Sequence, residues 1–149
     1  MNAMYLRAIG ALAATAASLA MLPAPTESPQ LRNYQARCTQ AVAYFVTQIP
    51  RIDNGRHQVA LGEAHRPDWV AAQYAKRGIG IAESLHTKKL AIDLLLFTDG
   101  VYQSQPEAYK PLAELWLQVA PAFGVVPAAG YYFKSRDAVH FSCSWEGFK

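Results

Sequence analysis

Residues 90–96, Leu-Ala-Ile-Asp-Leu-Leu-Leu, constrain this chain more than any other stretch. The run is almost wholly apolar, and Thr98-Asp99-Gly100 follows it with turn residues, so it reads as a buried strand. Side chains alternate along a strand, which puts Ala91, Asp93 and Leu95 on one face and Leu90, Ile92 and Leu94 on the other. A carboxylate inside such a run is costly unless it is paired or bound to a metal. Asp93 therefore needs a partner. His86 lies shortly before it, and a second segment, Asp137-Ala138-Val139-His140-Phe141, lies near the C-terminus. Two imidazoles and a carboxylate are the set that holds a catalytic zinc with its fourth position open to water. Asp137, three residues before His140, is placed to act on that water.

Ser84-Leu85-His86-Thr87-Lys88-Lys89-Leu90-Ala91-Ile92-Asp93 resembles the Ser-x-His-(six residues)-Asp motif of the zinc D-alanyl-D-alanine carboxypeptidase and L-alanyl-D-glutamate endopeptidase family. Asp137-x-x-His140-Phe141 resembles that family's second motif, and Glu63-Ala64-His65-Arg66 resembles its Glu-x-x-Arg. The likeness is nearest to the compact phage endolysins that cut peptidoglycan stem peptides, and it runs over roughly residues 59–142. It implies that His86, Asp93 and His140 hold Zn2+, that Asp137 is the general base, and that Arg66 stabilises the oxyanion. A guanidinium held in a dry cleft suits that last role, whereas a plain surface pair with Glu63 is the other reading of Arg66. Ser84 and Tyr132 are the substrate-side candidates. Two departures stand out. Lys89 stands where the family often has glycine, and Ala129-Gly130-Tyr131-Tyr132-Phe133 stands where phage members commonly read Trp-Gly-Gly-x-Phe.

The activity implied by the resemblance is zinc-dependent hydrolysis of the stem peptide between L-alanine and D-glutamate, in phage-driven lysis. A D-alanyl-D-alanine carboxypeptidase is the alternative within the family. A non-catalytic wall-binding module on the same scaffold is a third reading, against which Asp137 argues, because a pure binder has no use for a base. The expected partner is the peptidoglycan stem peptide, and the chain is expected to be a monomer.

With 149 residues the chain supports one domain with a substantial core. A net charge of +3, with no Lys/Arg cluster interleaved with aromatics, does not favour nucleic acid as a partner. Only Cys38 and Cys143 occur, so a cysteine-built zinc site is excluded within one chain. Their default reading is two buried thiols, with a disulfide open to them if the domain is exported. Residues 8–22 form an uncharged Ala/Leu-rich run behind Arg7, short for a membrane span. The expected organisation is an export or anchor segment with its linker at residues 1–30 and the peptidase domain at residues 31–149. That places the enzyme in the periplasm or outside the cytoplasm, with transient membrane association through the N-terminal run. The alternatives are an ordinary Ala-rich helix and an enzyme confined to the host cytoplasm until release.

The rest of the chain supplies the scaffold. Apolar residues at Tyr34, Cys38, Ala41 or Val42, and Phe45 have helical spacing from Leu31 on, and Pro50 is expected to end that helix. A turn at residues 53–55, a strand at residues 57–63, and a helix from Pro67 to Lys76 stopped by Gly78 follow. His57 and His65 read as ordinary surface or core histidines. Ser104-Gln105-Pro106-Glu107 has a capping-box pattern, and a helix over residues 111–120 presents Leu112, Leu115, Trp116 and Val119, with Trp116 in the core. Residues 125–126, 131–133 and 139–143 suggest short strands, the last placing His140 and Ser142 on one face. The fold class is α+β: a small, mostly antiparallel sheet carrying the zinc site, with helices packed on one side.

Overall fold

Ser28 and Pro29 start the first helix. The Ser28 hydroxyl accepts a hydrogen bond from the Leu31 N–H at 3.1 Å, and Pro29 takes the first turn, where its missing N–H costs nothing. These residues stand near the start of the computed structural model, which describes residues 27–149; the run at residues 8–22 read as an export segment lies outside them. Helix α1 (Pro29–Ile52) buries Tyr34, Cys38, Ala41, Phe45 and Ile49 along a single stripe. Pro50 does not end it. The proline sits in the last turn, where few helical bonds remain to be lost, and two further residues stay helical.

Strand β1 (His57–Leu61) pairs antiparallel with β2 (Ala91–Thr98), and β5 (His140–Cys143) lies between β2 and β4 (Pro127–Ala129). Strand β3 (Val101–Tyr102) returns on β2 through Asp99 and Gly100, both left-handed at φ 52° and 77°, which suits the twist of a tight hairpin. All pairings are antiparallel. Beyond β1 the chain stays stitched to β2, because the Gly62 N–H donates to the Asp93 carbonyl and the Asp93 N–H donates to the Glu63 carbonyl.

The two faces of β2 divide the molecule. Leu94 and Leu96 are fully buried and Ile92 nearly so, and they join Phe141 and Cys143 of β5 in the core under α1 and α3 (Lys110–Val119). The Phe45 ring lies 5.2 Å from Trp116 and 5.1 Å from Phe141, centroid to centroid. Trp116 is a core residue whose indole N–H is shared between the carbonyls of Ala128 and Ser142, at 3.1 and 3.2 Å. The result is the expected α+β arrangement, with α2 (Asp68–Lys76) the remaining α-helix among the described residues.

Further local expectations fail, among them the strand at residues 125–126, which instead lead into β4 at Pro127. The capping box at residues 104–107 is not made: the 3-10 turn Pro106–Tyr109 starts with Gln105 at its N-cap and no side-chain cap, one residue later than the box requires, so Ser104 and Glu107 do not stand at the N-cap and N3. Residues 131–133 do not form a strand. Gly130–Tyr132 is a 3-10 turn instead, and β4 ends at Ala129. Cys38 and Cys143 are not free thiols but a disulfide joining α1 to β5.

Candidate metal centre

The His86 side chain is set by a short, over-determined turn. Ser84 caps the 3-10 helix Leu85–Lys88, its hydroxyl accepting from the His86 N–H at 3.3 Å. The Thr87 hydroxyl donates to the Ser84 carbonyl at 2.7 Å. Lys89 then reverses the chain in the left-handed conformation, φ 53°, and Leu90 enters β2. A left-handed residue is what glycine supplies without a steric cost, and here a lysine adopts it. From outside, the Arg66 N–H donates to the His86 carbonyl at 3.2 Å and the Gln35 side chain to the Lys88 carbonyl at 2.8 Å.

Asp93 and His140 meet by strand register, as directly opposed residues of β2 and β5. Gly62 allows the flanking chain to close on Asp93: a Cβ there would lie 3.0 Å from the Asp93 Cβ. Together these elements bring three ligand atoms to one point. His86 Nε2 is 3.1 Å from His140 Nδ1 and 3.3 Å from Asp93 Oδ1, and His140 Nδ1 is 3.4 Å from the same oxygen. Ligands 2.0–2.2 Å from a tetrahedral zinc stand about 3.3–3.6 Å from one another, so the triangle has the size that such an ion demands. Both imidazoles are buried, and Asp93 Oδ1 is buried without a hydrogen-bond partner among the described residues. Burial pushes the Asp93 carboxyl up, but His140 and His86 beside it outweigh that and hold it well below the usual carboxylate range. The group can hold a metal ion. The outer nitrogens, His86 Nδ1 and His140 Nε2, are also buried and unpartnered among the described residues.

The triangle opens on a cavity of about 730 Å³ whose lining includes Arg66, Ser84, Phe133, Arg136 and Asp137. Asp137 is exposed at its edge. Its backbone is fixed from two sides: its carbonyl accepts from the His140 N–H at 3.0 Å, and Gly130 packs so closely that a Cβ there would sit 1.9 Å from that oxygen. Arg66 makes the pair with Glu63 and also faces the cavity. Its guanidinium pairs with Glu63 through two nitrogens and stacks 5.0 Å from the Tyr74 ring centroid, yet it still lines the cavity.

Six of the seven sequence candidates therefore line one cavity: Arg66, Ser84, His86, Asp93, Asp137 and His140. Tyr132 does not. It is 52% exposed, edge-on to Tyr131, and the next residue, Phe133, faces the cavity with its ring 5.8 Å from that of His140. Ser84 lines the cavity, and its hydroxyl accepts from the His86 N–H, holding the turn that carries that imidazole. Ile79, Ile81, Arg136 and Lys149 are also among the lining residues, and none of them was a site candidate in the sequence. For the isoleucines the signal was present, two apolar residues in a glycine-flanked loop. For Lys149 there was none. His57 contacts Thr98 at the far end of β2 and His65 is exposed, so neither belongs to the site.

No family model and no curated protein matches the chain. Among solved structures, the fold is similar to that of the Serratia marcescens L-Ala D-Glu endopeptidase ChiX. The TM-score is 0.63 at 17% identity, over 76% of this chain and 83% of that one. The shared property is the fold, an α+β scaffold on which a peptidase is built.

Proposed function

We propose that this chain is a zinc-dependent peptidoglycan peptidase that hydrolyses the stem peptide between L-alanine and D-glutamate. The observation that carries the reading is the His86–Asp93–His140 triangle, sized for a tetrahedral ion and open to a cavity that also holds Asp137 and Arg66. The likeness to an L-Ala D-Glu endopeptidase supports the choice of bond over release of terminal D-alanine. His86 Nε2, His140 Nδ1 and Asp93 Oδ1 would hold the metal. When bound, zinc lowers the pKa of water toward ~7 and polarises a carbonyl.

The chain's own residues supply the rest. Asp137 accepts the proton of the attacking water and returns it to the departing amine. Arg66, clamped by Glu63, aims its guanidinium at the oxygen on which negative charge develops. Phe133 and the isoleucines Ile79 and Ile81 give the cavity apolar walls. The Cys38–Cys143 disulfide supports action in an oxidising compartment, outside the cytoplasm. No helix among the described residues is long and apolar enough to cross a membrane.

The test is digestion of purified peptidoglycan by the zinc-loaded protein, with mass spectrometry of the products. New N-termini on D-glutamate are expected, abolished by a chelator and restored by zinc. Release of D-alanine with the L-alanine bond intact would move the assignment to a carboxypeptidase.

A further inference from the structure

The cavity beside the ligand triangle carries three cations, Arg66, Arg136 and Lys149, against the two carboxylates Asp93 and Asp137. In the reading above, Asp93 is a ligand, Asp137 the base, and Arg66 is paired with Glu63. Arg136 and Lys149 have no part in bond breaking. Arg136 is nonetheless held with care. Its backbone is left-handed, φ 55°, a conformation that disfavours any side chain with a Cβ. Its guanidinium carbon lies 4.8 Å from the Tyr131 ring centroid, which fixes the plane of the fork. Nη2 donates to Glu107 at the exposed rim, while Nε and Nη1 have no protein partner among the described residues.

We propose that Arg136, with Lys149 in the same cavity, reads a free carboxylate on the α-carbon of the residue whose nitrogen departs. The inference rests on the peptidase reading and narrows its substrate class. Arg136 is adjacent in sequence to Asp137, the group that returns a proton to the departing nitrogen, and both side chains line the one cavity. A carboxylate two bonds from that nitrogen falls within reach of the planar fork, which matches carboxylate geometry. In a stem peptide the chain continues from D-glutamate through its γ-carboxyl, leaving the α-carboxylate free. In an ordinary protein the same place holds an uncharged peptide carbonyl. Arg136 would thus set the enzyme against protein substrates and against stem peptides whose α-carboxylate is amidated.

The experiment uses the zinc-loaded full chain and two synthetic substrates, acetyl-L-alanyl-D-glutamate extended through the γ-carboxyl by lysine, with the α-group either carboxylate or carboxamide. Wild type is expected to favour the carboxylate by about tenfold or more in kcat/KM, mostly through KM, the scale of one hydrogen bond to a charged group. Arg136→Gln should bring the ratio close to one, and Arg136→Lys should keep part of it. Both substrates meet the same preparation, so partial unfolding cancels in the ratio. Equal cutting by wild type, or an unchanged ratio in Arg136→Gln, overturns the proposal. So does loss of all cutting by both variants with zinc and circular dichroism retained, since a carboxylate reader is not needed for the carboxamide. If wild type cuts neither substrate, the peptidase reading itself fails, and this inference fails with it.

Discussion

At the scale of single residues, the site turns on what a buried carboxylate can tolerate. Asp93 lies on a strand between Ile92 and the fully buried Leu94, and its Oδ1 is sealed from solvent with two ring nitrogens within 3.4 Å. Three lone-pair donors at that spacing repel one another unless a proton or a cation lies among them. A bound zinc resolves all three contacts at once, which leads to a first prediction. His86→Ala or His140→Ala should reduce zinc from one ion per chain to none, because two protein ligands remain, and elemental analysis of the purified variants measures it. Zinc retained at full stoichiometry in both variants would remove the ligand assignment. Asp137→Asn should behave oppositely, keeping the metal and the fold while hydrolysis falls about 10²-fold or more, the range of a general base. Muropeptide release at near the wild-type rate would show that Asp137 is not that group. Asp93 was legible in the sequence because a charge inside an apolar run contradicts its surroundings. Ser84, a substrate-side candidate, lines the cavity and also caps the short turn before β2, since a serine at that place is a capping signal as well.

At the scale of elements, the strands announced themselves wherever composition and alternation agreed. Strand β2, its Asp99-Gly100 turn and the His140/Ser142 face of β5 all follow from local pattern. The segment before Asp137 did not. Tyr131 and Tyr132 favour strands by propensity, yet the chain there folds into a 3-10 turn so that Gly130 can pass under the Asp137 carbonyl. That close approach is a tertiary fact, and only the glycine hinted at it. Gly130→Ala should therefore be severe. The added methyl would meet the Asp137 oxygen at 1.9 Å and the His140 Cβ at 3.0 Å, and backbone cannot step aside as a flexible side chain does. A loss of about 3 kcal/mol is expected, at the upper end of overpacking costs, with weaker zinc binding because His140 is displaced. Urea denaturation and a zinc titration of the variant check both halves; wild-type stability would mean that the loop before Asp137 has room the structure does not show. Trp116→Phe probes the other side of the sheet. It removes the N–H that serves the carbonyls of Ala128 and Ser142 in a fully buried setting, and should cost about 1–3 kcal/mol by the same measurement, with zinc binding unaffected.

At the scale of the whole molecule, one covalent bond encloses nearly everything else. Cys38 on α1 and Cys143 on β5 are 105 residues apart in sequence, and the loop they close contains every other strand, α2, α3 and all three residues of the triangle, His86, Asp93 and His140. The sequence left the pair as two buried thiols by default, because nothing local brings α1 against the last strand; that contact is made by Phe45 packing on Phe141 and Trp116. Cys143 follows His140 on the same short strand but points to the opposite face, into the core, so the disulfide steadies the strand without entering the cavity. Its effect belongs largely to the unfolded chain, whose freedom a loop of this length restricts strongly. Cross-links of this kind contribute about 2–5 kcal/mol. The double variant Cys38→Ala/Cys143→Ala, which leaves no stray thiol, should lose stability in that range while keeping one zinc and most of its hydrolytic rate at low temperature. Urea midpoints of the wild type with and without reductant should move by the same amount, since both treatments remove the same constraint. A midpoint indifferent to reductant and to the double substitution would show that the bond does not hold the fold, and would weaken the proposal that the protein acts in an oxidising compartment.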